Sequence, residues 1–391
     1  MSAYQLEIQR LAPWCALNSI FGFNPQVGRD LIRRFGGADK VFSVGSRELM
    51  RLPGLSHTYA AKITDSAIDA AQEELEGLLN ESKRFICLDD PSYPSMLADC
   101  PDPPLGLYIH SDTSPDQLFS KKPCIAIVGT RDITSYGKQW CSRIVSAIAK
   151  AVVKPVIVSG LAIGTDITAH TAALERGLDT WAVLPTGIDD IYPARHWKEA
   201  ESISTREGCA LITDYPPSTT PKAINFLRRN RIIAGLCSAT ILIESKAKGG
   251  GMITCRLASS YNREVYALPG RVDDMASEGC NRLIKEKAAE IVCSPEELTD
   301  ALGLGAVSGR EEKTLTESVY SKYCVPGSGL DPDIAERIIR IIADNRDIRT
   351  EELCSLTDLD YKDVARYVNR MECDGFISTD LFSRCSIRAD F

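Results

Sequence analysis

The chain has 391 residues, 44% hydrophobic and 25% charged, a balance that suits a globular protein with room for two or three domains. No stretch approaches the roughly 20 consecutive apolar residues of a membrane span, and the start MSAYQLEIQRLAPWC lacks a basic region followed by an apolar one; no membrane partner and a cytoplasmic location are expected. The net charge of −8 argues against a polyanionic ligand only as an average, because nine Lys or Arg stand against two acids between Pro221 and Arg271, which makes that segment +7 and leaves −15 for the rest.

In chain order, residues 1–115 read as short helices, among them ALNSIFG, GRDLIRRFGGADKVFS and HTYAAKITDSAIDAAQEELEGLLNES. In LMRLPGLSHTYAAKI, Pro53 and Gly54 stand between helical stretches, which is similar to a helix-hairpin-helix or sterile-alpha-motif (SAM)-like domain and equally to an ordinary turn with Gly as C-cap. Residues 116–306 alternate short apolar runs (CIAIVG, VIVSG, WAVLP, ALITD, TILIE, VYALPG) with amphipathic stretches such as KQWCSRIVSAIAKAV. Such runs, buried on both faces and joined by helices, predict an α/β domain with an extended Rossmann-like, mostly parallel sheet. Residues 307–330 read as a linker, with a Pro-Gly-Ser-Gly cluster.

Residues 331–391 follow as three helices and a short β-pair, the pattern of a winged-helix domain. On its third helix Lys362, Arg366 and Arg370 recur every four residues, although the domain carries nine basic groups against fourteen acidic ones. This stripe meets either DNA or an acidic partner, and a protein contact is the preferred reading. Fourteen cysteines without a CxxC pair and only four histidines give no zinc pattern, so reduced thiols and no cofactor are expected.

Chemistry-bearing motifs are scarce. Gly137 and Lys138 are adjacent, but Gln139 follows and Asp132 occupies the first glycine position, which excludes a P-loop. GGGMIT gives G-x-G-x-x with Thr254 where a dinucleotide fingerprint needs its third glycine. Asp166 and His170 stand one helical turn apart and suit acid–base work, yet an Asp that caps the helix and a His that packs beside the sheet is the favoured reading. What remains is a set of turns at the carboxyl ends of strands, where backbone N–H groups hold anions: VGTR with Gly129 and Arg131, SGLAIGTD with Ser159, Gly160, Gly164 and Thr165, PTGIDDIYP, FLRRNRIIAG, and SKAKGGGMIT with Lys246, Lys248, Gly249, Gly250, Gly251 and Thr254. Cationic turns without a nucleophile, base or metal ligand suit holding a phosphodiester strand better than cleaving it. In FLRRNR, Asn230 suggests a cap or turn, Arg228, Arg229 and Arg231 offer guanidinium forks, and Phe226 offers a ring on which a base stacks.

The blocks VGTR, SGLAIGTDITAH, VLPTGIDDIYP, TDYPP, FLRRNRIIAGL, ESKAKGGGMIT, REVYALPG and GCNRLI, in that order, resemble the DNA-processing protein A (DprA/Smf) family, with weaker agreement upstream in YPSMLADCPDPPLGLYI. The resemblance implies a protein that is not an enzyme: it binds single-stranded DNA, forms homodimers and helps load RecA recombinase onto incoming DNA during natural transformation. By motif, Arg131, Gly160, Gly164, Arg228, Arg229, Asn230, Arg231, Lys248 and Gly250 would line the DNA site. The chain departs from the family at Thr213 and Asp214 (usually Ser-Glu), Leu227 (proline, so a looser turn before the arginines is expected), Gly249 (serine) and Lys287 (glycine).

Two other classes stand beside this reading. An enzyme of the lysine-decarboxylase-like Rossmann group would carry P-G-G-x-G-T followed closely by a catalytic Glu, where this chain has Cys255, Arg256 and Leu257 after Thr254. A winged-helix transcription regulator would prefer a specific duplex to single strands of mixed sequence.

Overall fold

The computed structural model describes all residues except 1–2, 79–81, 121, 306–314, 326–328, 346–347, 381 and 388–391. It divides into two compact units, Met1–Ala306 and Val307–Phe391.

The six apolar runs become strands β3 (Cys124–Val128), β4 (Val156–Ser159), β5 (Thr180–Val183), β6 (Ala210–Thr213), β7 (Ala239–Leu242) and β8 (Glu264–Ala267). Each is joined to the next by helix and loop and pairs in parallel, in the order β6-β5-β4-β3-β7-β8. The strand period of two sorts their side chains: Cys124, Ala126 and Val128 enter the core on one face, and Ile125 and Ile127 the core on the other. From β3 the chain winds outward through β4, β5 and β6, then returns to the other side of β3 for β7 and β8. The β3–β7 boundary is therefore the topological switch point of a doubly wound sheet.

The sheet is larger than the sequence suggests. β1 (Lys83–Cys87) and β2 (Gly106–His110) form an antiparallel pair that attaches to β6, and β9 (Glu290–Ile291) extends the other edge, for nine strands in all among the described residues. Residues 1–115 are thus not helical throughout. The helices Ala3–Phe21 and Asp65–Leu78 cover this antiparallel end, with Ile8, Leu11, Ala12 and Cys15 at helical spacing packed on Ala71, Leu75, Phe85 and Tyr108. Pro53 and Gly54 lie between the four-residue helices Ser46–Leu49 and His57–Ala60, and Gly54 takes φ +86°, a left-handed turn that favours glycine.

In the second unit, helices Pro332–Asp344, Thr350–Thr357 and Tyr361–Cys373 pack with a small antiparallel sheet, in which β12 (Arg384–Ile387) lies between β10 (Ile348–Arg349) and β11 (Ile377–Thr379). Some of the expected linker is structured here. Leu315–Tyr323 is a helix whose Val319 and Tyr323, one turn apart, are buried in this unit's core. Residues 307–314 and 326–328 of that segment, the latter including most of the Pro-Gly-Ser-Gly cluster, lie outside the described ones. On Tyr361–Cys373, Arg366 pairs with Asp363 at 3.5 Å and Arg370 with Asp374 at 3.0 Å, so carboxylates of the same segment face the basic stripe.

All fourteen cysteines are free. Burial pushes the thiols of Cys124 and Cys141 up to about 12, as expected of thiols that act as small apolar side chains.

Candidate nucleic-acid interface

Three neighbouring strands deliver the site. The chain leaves the carboxyl ends of β3, β4 and β7 in the turns Gly129–Arg131, Gly160–Thr165 and Ser245–Gly250, and these turns touch. Thr165 donates from both its backbone N–H (3.1 Å) and its hydroxyl (3.2 Å) to the Thr130 carbonyl. A Cβ on Gly251 would stand 3.2 Å from Gly129 Cα, and one on Gly164, at φ +84°, would overlap the Thr130 carbonyl. Glycine occurs where backbones meet. Two helices start on this rim, Thr165–Glu175 and Gly250–Ser260; their N-cap positions are Gly164 and Gly249, and no side chain caps either one. Their first-turn N–H groups and positive dipole ends face the turns.

A third helix on the rim, Ser135–Lys150, is closed off. The Thr134 hydroxyl caps it by accepting from the Gly137 N–H at 3.2 Å. The fully buried Glu244 carboxylate, one of only two acids in the basic segment, accepts from the Thr134 N–H at 2.9 Å and its hydroxyl at 2.5 Å. That negative charge serves the fold.

The cations sort into two groups. Arg131, Lys246 and Lys248 are exposed, and the Arg131 guanidinium lies 4.7 Å from the centre of the half-buried Phe226 ring. Tyr192, which lies in the PTGIDDIYP turn and is not among the expected site residues, meets the same ring edge-on at 5.3 Å. The result is a Tyr–Phe–Arg stack beside the glycine turns. Gly129, Gly164 and Gly249 are partly exposed and Gly250 is exposed.

The arginine block corrects the expectation. FLRRNR is not a turn but lies within one continuous helix, Ala223–Leu236, because the good helix formers around Asn230 outweigh that single residue. Arg229, Asn230 and Arg231 are buried. The Arg231 guanidinium is paired to the Asp214 carboxylate at 2.5 Å and donates to the Asp102 carbonyl. Arg229 runs beneath the turn after β4, donates to the Val183 carbonyl at 2.5 Å and occupies the space a Cβ on Gly160 would need. Arg228 is half-buried and donates to the Gly22 carbonyl. Burial lowers Arg229 to about 10 in spite of nearby Asp166, and burial raises the Asp166 carboxyl although Arg229 counteracts it.

Ser159, Thr165 and Thr254 are buried as well, the Ser159 hydroxyl being spent on the Ile127 carbonyl at 2.6 Å. These side chains, with Gly160 and Gly251, are packed within the rim and not exposed on it. Leu227 sits inside the helix, so there is no turn for it to loosen; Asp214 keeps the acid that the family has there. At Gly249 the neighbouring Ser245 hydroxyl fills the space a side chain would need. His170 is fully buried, its Nδ1 2.7 Å from the Thr180 hydroxyl, and burial with Arg229 and His196 nearby lowers it to about 3. The packed, neutral histidine agrees with the favoured reading, but Asp166 does not cap its helix: the N-cap position is Gly164, and Asp166 Oδ2, already inside the first turn, accepts instead from the Ala162 N–H at 3.3 Å in the preceding turn.

Residues 84–303 match the family model of DNA recombination-mediator protein A, and the match begins within β1 and ends just before the first unit does. Protein Smf of Synechocystis is 34% identical over 78% of this chain and 76% of its own length. The DNA processing protein DprA of Streptococcus pneumoniae is 36% identical over 55% of this chain and 72% of its own. The X-ray structure of DprA from Streptococcus pneumoniae superposes with a TM-score of 0.57 at 28% identity, covering 77% of this chain and 98% of that one. With its doubly wound sheet and clustered glycine turns, the chain belongs to the DNA recombination-mediator protein A family, the DprA/Smf proteins.

Proposed function

We propose that this protein grips single-stranded DNA along the carboxyl rim of the central sheet, without bond chemistry, and hands the strand to RecA as a homodimer during DNA uptake. The family carries the coarser role, DNA binding in DNA processing and recombination mediation. The finer reading rests on one observation: three glycine turns and two uncapped helix N-termini meet beside exposed Arg131, Lys246 and Lys248 and the Tyr192–Phe226–Arg131 stack. Phosphates suit the N–H groups and cations, and a base suits the ring. We assign the N-terminal helices to a SAM-like domain and the second unit to a winged helix that contacts protein. Among the described residues no helix is long and apolar enough to cross a membrane.

Fluorescence anisotropy with an unstructured oligonucleotide at two salt concentrations tests the grip. Three phosphate contacts give a slope of log K against log salt near roughly −2, at about −0.7 per contact. Replacing Lys246 and Lys248 together with Ala should flatten it by about 1.4 and leave unfolding within about 0.5 kcal/mol. An unchanged slope removes these lysines from the interface, and no binding removes the proposal. For the second half, the full chain should speed RecA filament assembly on the strand.

A further inference from the structure

The first turns of helix Ala223–Leu236 form a ridge on the surface. Ile224 and Leu227, three residues apart on its crest, are 49% and 44% exposed. At about 100° per residue, Phe226 and Arg228 leave the helix on opposite flanks of that crest. The Phe226 flank carries the stack already described. The other carries a second pair of the same kind: the Arg228 guanidinium lies 3.7 Å from the centre of the Phe23 ring, and that ring is 54% exposed.

Phe23 belongs to the N-terminal helical region, yet its place beside the ridge is fixed. The Arg228 guanidinium donates to the Gly22 carbonyl. One turn earlier, Asn18 donates to the Asp214 carbonyl at 2.9 Å and accepts from the Gly106 N–H at 3.2 Å, fastening the end of helix Ala3–Phe21 to the ends of β6 and β2. One face of the ring is covered by a cation and the exposed portion is presented to solvent. Lys222 at the start of the ridge, and Arg33 and Arg34 on the helix Pro25–Phe35 that follows Phe23, are exposed. An aromatic ring with a guanidinium on one face, and with exposed cations on the segments that adjoin it in the chain, fits a nucleobase on a polyanionic backbone.

We infer that Phe23, stacked on Arg228, is a second base-stacking platform, so that the bound strand crosses the Ile224–Leu227 ridge and the N-terminal region holds a base directly. This rests on the single-strand reading above. The test compares binding of an oligothymidylate with binding of an abasic strand of the same length, which keeps the phosphates and lacks the rings. Phe23→Ala should weaken oligothymidylate binding about 5- to 100-fold and leave abasic binding unchanged, because one stacked base is lost. Phe23→Trp should restore affinity, with its emission quenched by oligothymidylate and not by the abasic strand. Equal oligothymidylate affinity for Phe23→Ala and the parent chain overturns the inference while leaving the rim reading intact. Equal losses on both strands reduce Phe23 to a structural role. A parent chain that binds neither strand overturns both readings.

Discussion

The basic segment between Pro221 and Arg271 holds two stretches that use charge in opposite ways. In helix Ala223–Leu236, Arg229 and Arg231 point into the molecule, onto a main-chain carbonyl and a carboxylate. In the turn Ser245–Gly250, Lys246 and Lys248 point out. The chemistry of the two head groups accounts for this: a planar guanidinium is weakly hydrated and forks onto fixed acceptors, while a compact ammonium keeps its water. A run of arginines is therefore poor grounds for counting phosphate contacts. Here Arg229 and Arg231 hold the fold together, and the lysines are left at the surface.

The largest effect expected from this contrast is on stability. Arg231→Met leaves the buried Asp214 carboxylate without its partner and should cost about 3–5 kcal/mol in urea unfolding. Removing the acid as well, by adding Asp214→Leu, should recover much of that loss. The folded fraction should keep the parent salt slope. A flattened slope for folded Arg231→Met would return this arginine to the interface and erase the contrast.

The inward arginine also bears on acid stability. His170 ionises near 6.5 in an unfolded chain and near 3 in the fold, where burial, then the nearby Arg229 and His196, disfavour a second proton. Between those values the unfolded chain binds the proton and the folded one does not. Stability is complete above about pH 6.5 and falls as the pH drops, by about 1.4 kcal/mol per unit, or about 2 kcal/mol by pH 5. Unfolding curves for the parent chain and His170→Gln across this window should converge at low pH; parallel curves would mean that the ring is protonated in the fold.

How much of this was legible depends on whether a residue's partner is near in sequence. β3 to β8 were, because each apolar run ends in a turn signal and has both faces covered. β1 and β9 were not, since one opens on Lys83 and Arg84 and the other is an exposed Glu-Ile pair at the sheet edge. The turns after β3, β4 and β7 carry their glycines in the sequence. Which of their neighbours face outward does not show there: Arg231 is buried because Asp214 and the Asp102 carbonyl, seventeen and 129 residues away, receive it. Glu244 and Tyr192 likewise make contacts far along the chain, with Thr134 and Phe226.

Lys287 separates loss of charge from loss of contact, with the smallest effect. It is an exposed cation but belongs to neither group: it ends the helix Glu278–Lys285 in the left-handed region at φ +56°, where its N–H donates to Ile284 O at 3.1 Å and that of Ala288 to Leu283 O at 2.9 Å. This helix ending favours glycine, the residue the family usually has there. Lys287→Gly relieves a strain of roughly 1–2 kcal/mol and adds freedom to the unfolded chain, so a net gain of about 0.5–1 kcal/mol is expected in thermal or urea unfolding. The variant has one positive charge fewer, as does either single lysine variant of the glycine turn. If the salt slope for DNA falls equally in all three, the response follows net charge, and the rim holds no defined phosphates; if it falls only for Lys246 and Lys248, position on the rim decides.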